Sequence, residues 1–255
     1  MFIVVNADRS VTLPAAALDS ATHVVRPRDL AQAYTNPAKE AARLVRQGAF
    51  RRIATGYYLI PPPDRIGNPA WRPAVEDLAL AIATTDYPQT DVALMGVSAA
   101  RLLGALPRAL ALAVVAVPKQ RPRLSTSFGT VIFVKRNVAL LDRTRAPTRL
   151  AQGYMTDVDQ TVLDLSARPD LGDLQPREIG AVLLALASRV DWTHARDLAI
   201  RQHRGTAYMR ARWACAPAIN GEMPSLPTRQ PFDGRNLRAF APGDDSLGVE
   251  VNPSC

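Results

Sequence analysis

The sequence predicts an α+β protein, and three observations support this prediction. Helical segments with periodic apolar residues alternate with short runs of apolar and β-branched residues, as at 109–117 and 130–136. An Asn-Pro helix start at Asn36-Pro37 is followed, one helix later, by two short strands that Ala54-Thr55-Gly56 connects. No apolar run reaches the roughly 18 residues that a bilayer requires, so we expect no membrane span.

Residues 1–62 have the order of elements of a winged helix-turn-helix domain. Gly48 provides the left-handed residue that ends a helix, and Gly56 provides the positive φ of a hairpin turn. Two helices joined by a tight turn, with a hairpin directly afterwards, form this motif. The prolines at 61–63 predict the domain boundary. The predicted elements are a strand within MFIVVN, helices at 14–21, 27–34 and 37–47, and strands at 50–53 and 57–60.

Residues 63–213 predict a second, mixed α/β domain that ends in helices. Thr156 with Asp159 approximates a capping box, so we expect a helix to begin at Thr156. We expect a polar loop at 119–129 and a loosely ordered tail over 214–255, with a strand at 247–251. The other expected helices are at 74–85, 98–106, 177–189 and 192–204, and the expected strands are at 91–96, 109–117 and 130–136.

The helix predicted at 37–47 has two distinct faces. Its spacing predicts a buried stripe of four apolar residues, namely Ala38, Ala41, Leu44 and Val45. Lys39, Arg43 and Arg46 share another face, as in a recognition helix that places long donors in the major groove. Arg43 is the first candidate for a bidentate guanine contact, and Asn36 is placed to bind a phosphate or a base edge. The alternative is an ordinary solvated face on which Glu40 pairs with Arg43.

Further arginines are candidates for DNA contact. Arg51 and Arg52 are adjacent in the wing's first strand and point to opposite faces, so only one of them readily reaches DNA. Arg26 and Arg28 flank the preceding helix, where contact with phosphates is usual. In the second domain, the loop residues Arg121 and Arg123 are secondary candidates for backbone contact.

The charge distribution indicates a polyanionic partner. The net charge is +8, and residues 26–52 hold seven basic and two acidic side chains. Residues 101–149 hold ten basic side chains and one acidic, whereas residues 150–200 hold eight acidic and four basic. Two basic blocks favour nucleic acid, and the acidic block leaves a surface for another partner. The alternative is that the blocks pair with one another.

No pattern predicts an enzyme, a cofactor or a metal site. Asp157 and Asp159 have the spacing of paired metal-binding carboxylates, but at a helix start the capping function is favoured. The histidines are scattered, and none has a cysteine or an acid at ligand spacing. Ser98 lacks a nucleophile motif. The two cysteines form no motif, so we expect a reducing, cytoplasmic location. The three histidines are His23, His194 and His203, and the tryptophans Trp71, Trp192 and Trp213 are assigned to packing.

Several segments resemble AbiEi-family antitoxins of type IV toxin–antitoxin and abortive-infection systems. AARLVRQGAFRRIATGYYLIPP is similar to the family's recognition helix and wing. DVALMGVSAARLLGAL and MTDVDQTVLDLSARPD are similar to the opening and the next helical signature of its second domain, and Asp191-Trp192 fits the closing helices. The resemblance covers roughly residues 24–213, and the arginine and alanine content is similar to that of actinobacterial members.

The resemblance implies an antitoxin that represses its own operon. Its winged domain would bind inverted repeats in operator DNA, with two copies suiting one operator, and the second domain would counteract a nucleotidyltransferase-like toxin. The family offers no catalytic residues to transfer. A second hypothesis stays open: a protein-interaction module that does not read DNA and that binds a basic partner through the acidic helices. The residues carried over as DNA contacts are Lys39, Arg43, Arg46, Arg51 and Arg52.

Overall fold

The computed structural model describes residues 22–219, together with the backbone of two strands near the N-terminus, and they form an α+β protein. Strands β1 (Phe2–Asn6) and β2 (Arg9–Thr12) pair antiparallel. The apolar run at the N-terminus is therefore a strand, as the sequence predicts. The helix predicted at 14–21 and the strand predicted at 247–251 lie outside the described residues.

A small three-stranded sheet and one helix come next. Gly48 and Gly56 have φ values of 76° and 79°, as the helix end and the hairpin turn require. The sheet is antiparallel, in the order β3-β5-β4. The elements are β3 (Val24–Val25), a 3-10 helix (Pro27–Leu30), α1 (Pro37–Arg46), β4 (Arg51–Ala54) and β5 (Tyr57–Leu59).

A compact apolar cluster lies under α1. The ring of Phe50, which is 1% exposed, lies 6.4 Å from the ring of Tyr58, measured between centroids. This cluster fixes α1 against the strands by burying one side of the helix. Its buried members are Val25, Leu30, Ala41, Leu44, Ala49, Phe50 and Ile60.

The remaining elements build a six-stranded mixed sheet with helices on both sides. The strand order is β10-β11-β6-β7-β9-β8, with parallel pairs β11–β6 and β7–β9. The strands are β6 (Ala93–Leu94), β7 (Leu112–Val117), β8 (Leu124–Thr126), β9 (Gly129–Lys135), β10 (Arg143–Arg145) and β11 (Tyr154–Thr156). The helices are α2 (Val75–Asp86), α3 (Val97–Leu102), α4 (Val158–Ala167), α5 (Pro176–Ala187), α6 (Trp192–Arg201) and α7 (Gly205–Ile219).

Strand β7 divides two hydrophobic clusters. Residues Ala113, Val115 and Val117 belong to a cluster with α2. Residues Leu112, Val114 and Ala116 belong to a cluster with α3, α4, α5 and α7. All six residues are buried, as expected for a central strand covered on both faces. The apolar sequence of 112–117 follows directly from this position.

The first cluster also continues across the predicted boundary at residue 62. Val24, Ile53, Tyr57 and Leu59 from the small sheet pack in the same buried cluster as helix α2. The backbone N–H of Ser127, in the turn between β8 and β9, donates to the carbonyl oxygen of Ile53 at 2.9 Å. The hairpin and the larger sheet therefore share one continuous core.

Three local predictions were wrong. The helix expected over 27–34 is a 3-10 turn with one buried residue, Leu30, because little apolar surface is available to stabilise a longer helix. The loop expected at 119–129 contains β8, which pairs antiparallel with β9. The helix expected to begin at Thr156 begins after Asp157, whose side chain accepts from the backbone N–H of Gln160, while Thr156 ends a strand.

The tail expected over 214–255 is helical as far as Ile219, and the rest of that prediction lies outside the described residues. Helix α7 continues to Ile219, because Ala211 and Cys215 lie on a buried face that extends past that point. Pro217 stands in the last turn, so the backbone hydrogen bond that it cannot donate is lost near the helix end. Among the helices of residues 22–219, none combines the length and the apolar character that crossing a bilayer demands.

Candidate nucleic-acid interface

Helix α1 is fixed at its start and along one side. The side-chain oxygen of Asn36 accepts from the backbone N–H of Lys39 at 3.2 Å, and Pro37 stands at the first helical position. Ala41 and Leu44 are fully buried, and Val45 is partly buried. Ala38, predicted to be in this stripe, is exposed because the first turn of α1 projects beyond the apolar cluster.

The opposite face of α1 carries the predicted cations. Lys39 and Arg46 are exposed, and the side chain of Arg43 is 42% exposed. Arg43 and Arg46 follow Lys39 by four and seven residues, so the three side chains lie along one side of the helix. Long donors therefore project from a helix whose other side is buried.

Arg43 already has partners on its own helix. Its Nε donates to Oε1 of Glu40 at 2.8 Å, and its Nη1 donates to Oε1 of Gln47 at 2.7 Å. The hydrogen bond from Arg43 lowers the pKa of Glu40 below its ordinary value. Exposed pairs of this kind contribute only about 0–1 kcal/mol, so a phosphate or a guanine can compete for the guanidinium.

The two adjacent arginines of β4 have different environments. Arg51 donates from Nη1 to the carbonyl oxygen of Trp71 at 2.6 Å and from Nη2 to that of Asn68 at 2.5 Å. Its guanidinium also lies 5.8 Å from the ring centroid of Trp71. Arg52 is exposed on the other face. Arg52 is therefore the arginine of this pair that faces solvent, while Arg51 connects β4 to the segment that follows the hairpin.

Arg26 and Arg121 converge on one buried carboxylate. Arg26 Nη1 lies 2.5 Å from Oδ1 of Asp86, whose side chain is 4% exposed, and Arg121 forms an ion pair with the other oxygen. Tyr57 donates its hydroxyl to Oδ2 of Asp86 at 2.8 Å. Arg121 also lies over the ring of Phe133, 4.2 Å from its centroid. The surface position expected for Arg26 and Arg121 therefore does not occur, because a buried carboxylate requires compensating charge.

Sequence reasoning missed Asp86. One signal was present: Asp86 ends an apolar helix, where the helix dipole disfavours a carboxylate unless cations surround it. The arginines that compensate it are far away in the chain, Arg26 60 residues before Asp86 and Arg121 well after it. No local pattern connects these positions.

The remaining candidates face solvent. Arg28 has a side chain that is 65% exposed, and Arg123 is exposed just before β8. The backbone N–H of Ser127, in the β8–β9 turn, donates to Ile53 of β4, so strand β8, which directly follows Arg123, ends beside the hairpin. The candidate interface consists of Arg28, Asn36, Lys39, Arg43, Arg46 and Arg52, with Arg123 as an additional position.

The acidic block over 150–200 is used mainly within the fold. Asp157 and Asp191 accept backbone N–H groups at the starts of α4 and α6. Asp164 is fully buried between Arg136 and Arg204, at 2.8 and 2.9 Å. Glu178 pairs with Arg108 at 2.9 Å. The block is therefore not a continuous acidic face.

The comparisons with protein families and with curated proteins identify no family for this chain. No protein-family model matches the chain, and no curated protein matches its sequence.

Proposed function

We propose that this chain binds double-stranded DNA through a variant of the winged helix-turn-helix in which the 3-10 turn Pro27–Leu30 stands in place of the first helix, with α1 as the recognition helix and the β4–β5 hairpin as the wing. The observation that carries the proposal is the two-sided character of α1: Ala41 and Leu44 are fully buried, whereas Lys39, Arg43 and Arg46 lie on the solvent side. A recognition helix needs both properties, because the buried side fixes the angle at which the donors enter the groove.

The dimensions of α1 suit the major groove. Its ten residues span roughly 15 Å, and the groove is about 12 Å wide. Asn36 lies at the helix start, which in helix-turn-helix proteins is the end that contacts base edges. Arg52 on the wing and Arg28 on the preceding turn are exposed cations beside this helix and suit phosphate contacts.

The biological half of the proposal is an antitoxin that represses its own operon. Its support is the resemblance of the helix–wing segment and of the later signatures to AbiEi-family antitoxins. The cognate partner would be a nucleotidyltransferase-like toxin, countered by the second part of the chain. The operator would contain inverted repeats, which suit two copies of the protein.

The competing interaction-module hypothesis gains less support. It requires the acidic helices to present a docking face for a basic partner. The carboxylates of Asp157, Asp164, Glu178 and Asp191 already have partners within the fold. The cationic face of α1, in contrast, has exposed members with no role in the apolar core.

Sequence-specific binding tests the proposal. The full chain is titrated with a duplex from its own upstream region and with a scrambled duplex of equal composition, at fixed salt, by fluorescence anisotropy. We expect the upstream duplex to bind roughly a thousandfold more tightly. Arg43→Ala should then cost about 1–3 kcal/mol of specific binding.

Arg168→Ala is the matched control, because it removes one half-exposed arginine, paired with Asp170, from the end of α4. It should leave both affinities nearly unchanged. Equal and weak binding of both duplexes, with no effect of Arg43→Ala, would show that α1 does not read DNA. A toxin pull-down with the same variants would then test the interaction-module hypothesis.

A further inference from the structure

Three metal-ligating side chains meet where α4 and α6 begin. One oxygen each of Asp142 and Asp157 and one ring nitrogen of His194 all lie within 4.8 Å of one another. Among the described residues, this is the group of His, Cys, Asp and Glu side chains that comes together in this way. Asp142 and His194 are 52 residues apart, so the sequence spacing gave no indication of a shared site.

Each ligand position is fixed by the backbone around it. Asp157 caps α4, with Oδ1 accepting from the N–H of Gln160 at 2.8 Å. Its own N–H donates to the carbonyl oxygen of Asp142 at 3.2 Å, which holds these two residues side by side. His194 stands in the first turn of α6, where its N–H donates to the capping carboxylate of Asp191. Three separate segments of the chain therefore present these side chains together.

A third carboxylate, Asp159, adds negative charge beside this group. It is 8% exposed, and its Oδ1 accepts from the backbone N–H of Asp191 at 3.0 Å. Asp157 lies two residues before it, at the start of the same helix, so the carboxylates of both residues add negative charge here. A nearby cation would stabilise this charge.

Each of the other deeply buried carboxylates of the described chain pairs with one or two arginines. Glu76 pairs with Arg101, Asp164 pairs with two arginines, and Asp86 does the same. Within residues 22–219, neither Asp157 nor Asp159 has a lysine or arginine at salt-bridge distance. Only Arg201 approaches the group, at 3.4 Å from Asp142. Asp157 and Asp159 therefore lack the arginine partner that Glu76, Asp86 and Asp164 have.

We propose that Asp142, Asp157 and His194 bind one divalent transition-metal ion, with Zn²⁺ as the best match. One imidazole nitrogen with two carboxylate oxygens suits Zn²⁺, whereas Mg²⁺ and Ca²⁺ prefer oxygen donors alone. Three protein ligands leave one position for water. The ion would connect α4, α6 and the segment before β10, and Asp159 would contribute charge from beside the site.

The ligands need only small movements to accept the ion. Nε2 of His194 and Oδ2 of Asp142 are 2.5 Å apart, within hydrogen-bonding distance. Tetrahedral Zn²⁺ with ligands at about 2.0–2.2 Å places neighbouring donors roughly 3.4 Å apart. These side chains are 42% and 28% exposed, so rotations of this size are open to them. Zn²⁺ binds only the deprotonated imidazole, so its affinity should fall as the pH decreases.

Calorimetric titration of the untagged, metal-free full chain with ZnCl₂ tests the site. We expect one equivalent of Zn²⁺ to bind, a higher Tm, and a shift of the His194 imidazole signals in the ¹H–¹⁵N spectrum. MgCl₂ at the same concentration should produce none of these changes. His194→Gln should weaken binding by more than about 100-fold, the upper end of what losing a mere supporting partner of a ligand costs.

Two further variants separate ligation from folding. Asp157→Asn keeps a good helix cap while removing the charge, and it should weaken Zn²⁺ binding with little loss of Tm in the metal-free protein. His203→Asn alters an exposed histidine whose positive φ of 54° asparagine tolerates, and it should bind Zn²⁺ normally. Absence of stoichiometric binding would overturn the proposal. So would binding that survives both His194→Gln and Asp157→Asn, because the ion would then lie elsewhere.

Discussion

At the scale of single residues, Asp86 organises the junction between the hairpin and helix α2. It accepts from Arg26, Arg121 and the hydroxyl of Tyr57, which come from three different segments. Two guanidinium groups meet one carboxylate here. Asp29, 3.8 Å from Nε of Arg26, offsets part of the second positive charge, and the hydroxyl oxygen of Tyr57 accepts from Arg121 at 2.9 Å. The group therefore depends on the charge of Asp86 and not only on its shape.

Asp86→Asn should destabilise the protein by about 3–5 kcal/mol, because two half-buried guanidinium groups lose their counterion while the side-chain volume stays the same. The free energy of unfolding is measured by urea denaturation with tryptophan fluorescence. Asp64→Asn is the matched control, since Asp64 is 62% exposed, and it should change stability by less than about 0.5 kcal/mol. Equal effects of the two variants would show that the ionic junction contributes nothing specific.

At the scale of elements, local sequence signals form helix α1, and a contact within the helix opposes its binding to DNA. The cap at Asn36, the stripe of Ala41 and Leu44 and the end at Gly48 are all encoded within the segment itself. The opposing contact comes from Glu40, which accepts a hydrogen bond from Arg43 and holds its guanidinium against the helix. DNA binding must replace this contact, so Glu40 reduces the affinity that Arg43 supplies.

Glu40→Gln should therefore strengthen DNA binding. The free energy of an exposed ion pair is about 0.2–1 kcal/mol, which predicts roughly 1.5- to 5-fold tighter binding to the upstream duplex. Asp170→Asn makes the same change in net charge at a side chain that is 74% exposed next to Arg168. If both variants tighten binding equally, the gain is a general effect of charge, and the release of Arg43 is not its cause.

The elements that the sequence predicts well are those set by local signals. The stripe and cap of α1, the glycines of the hairpin and the fully apolar β7 each follow from residues within one segment. Strand β8 was missed because its residues are polar and only its pairing with β9 makes it a strand. Such pairing depends on the partner strand and not on the intrinsic preference of the segment.

The residues of the candidate site, too, could be predicted from the sequence only where local spacing decides their position. Lys39 and Arg46 are exposed on α1, where the helical spacing places them. Arg26, Arg51 and Arg121 instead bind groups that lie 17 to 64 residues away in the chain, and no spacing rule connects such positions. The group of Asp142, Asp157 and His194 was missed for the same reason, since the fold alone brings its members together.

At the scale of the whole molecule, the basic and acidic blocks have different uses. The acidic residues over 150–200 mostly cap helices or compensate arginines inside the fold. Several cations of the described chain stay on the surface, among them Lys39, Arg46 and Arg52 on α1 and the hairpin. Because the hairpin shares its core with α2, this surface is held rigidly on the larger sheet.

Chemical-shift mapping of the upstream duplex on the full chain, read from ¹H–¹⁵N spectra of backbone amides and arginine Nε–H groups, tests the role of α1. Binding through α1 predicts shifts concentrated in residues 36–52, with the Nε–H signals of Arg43 and Arg46 among the most strongly changed and that of Arg168 unchanged. Shifts confined to α4–α6, or none at residues 36–52 while the duplex is bound, would contradict the assignment of α1 as the recognition helix.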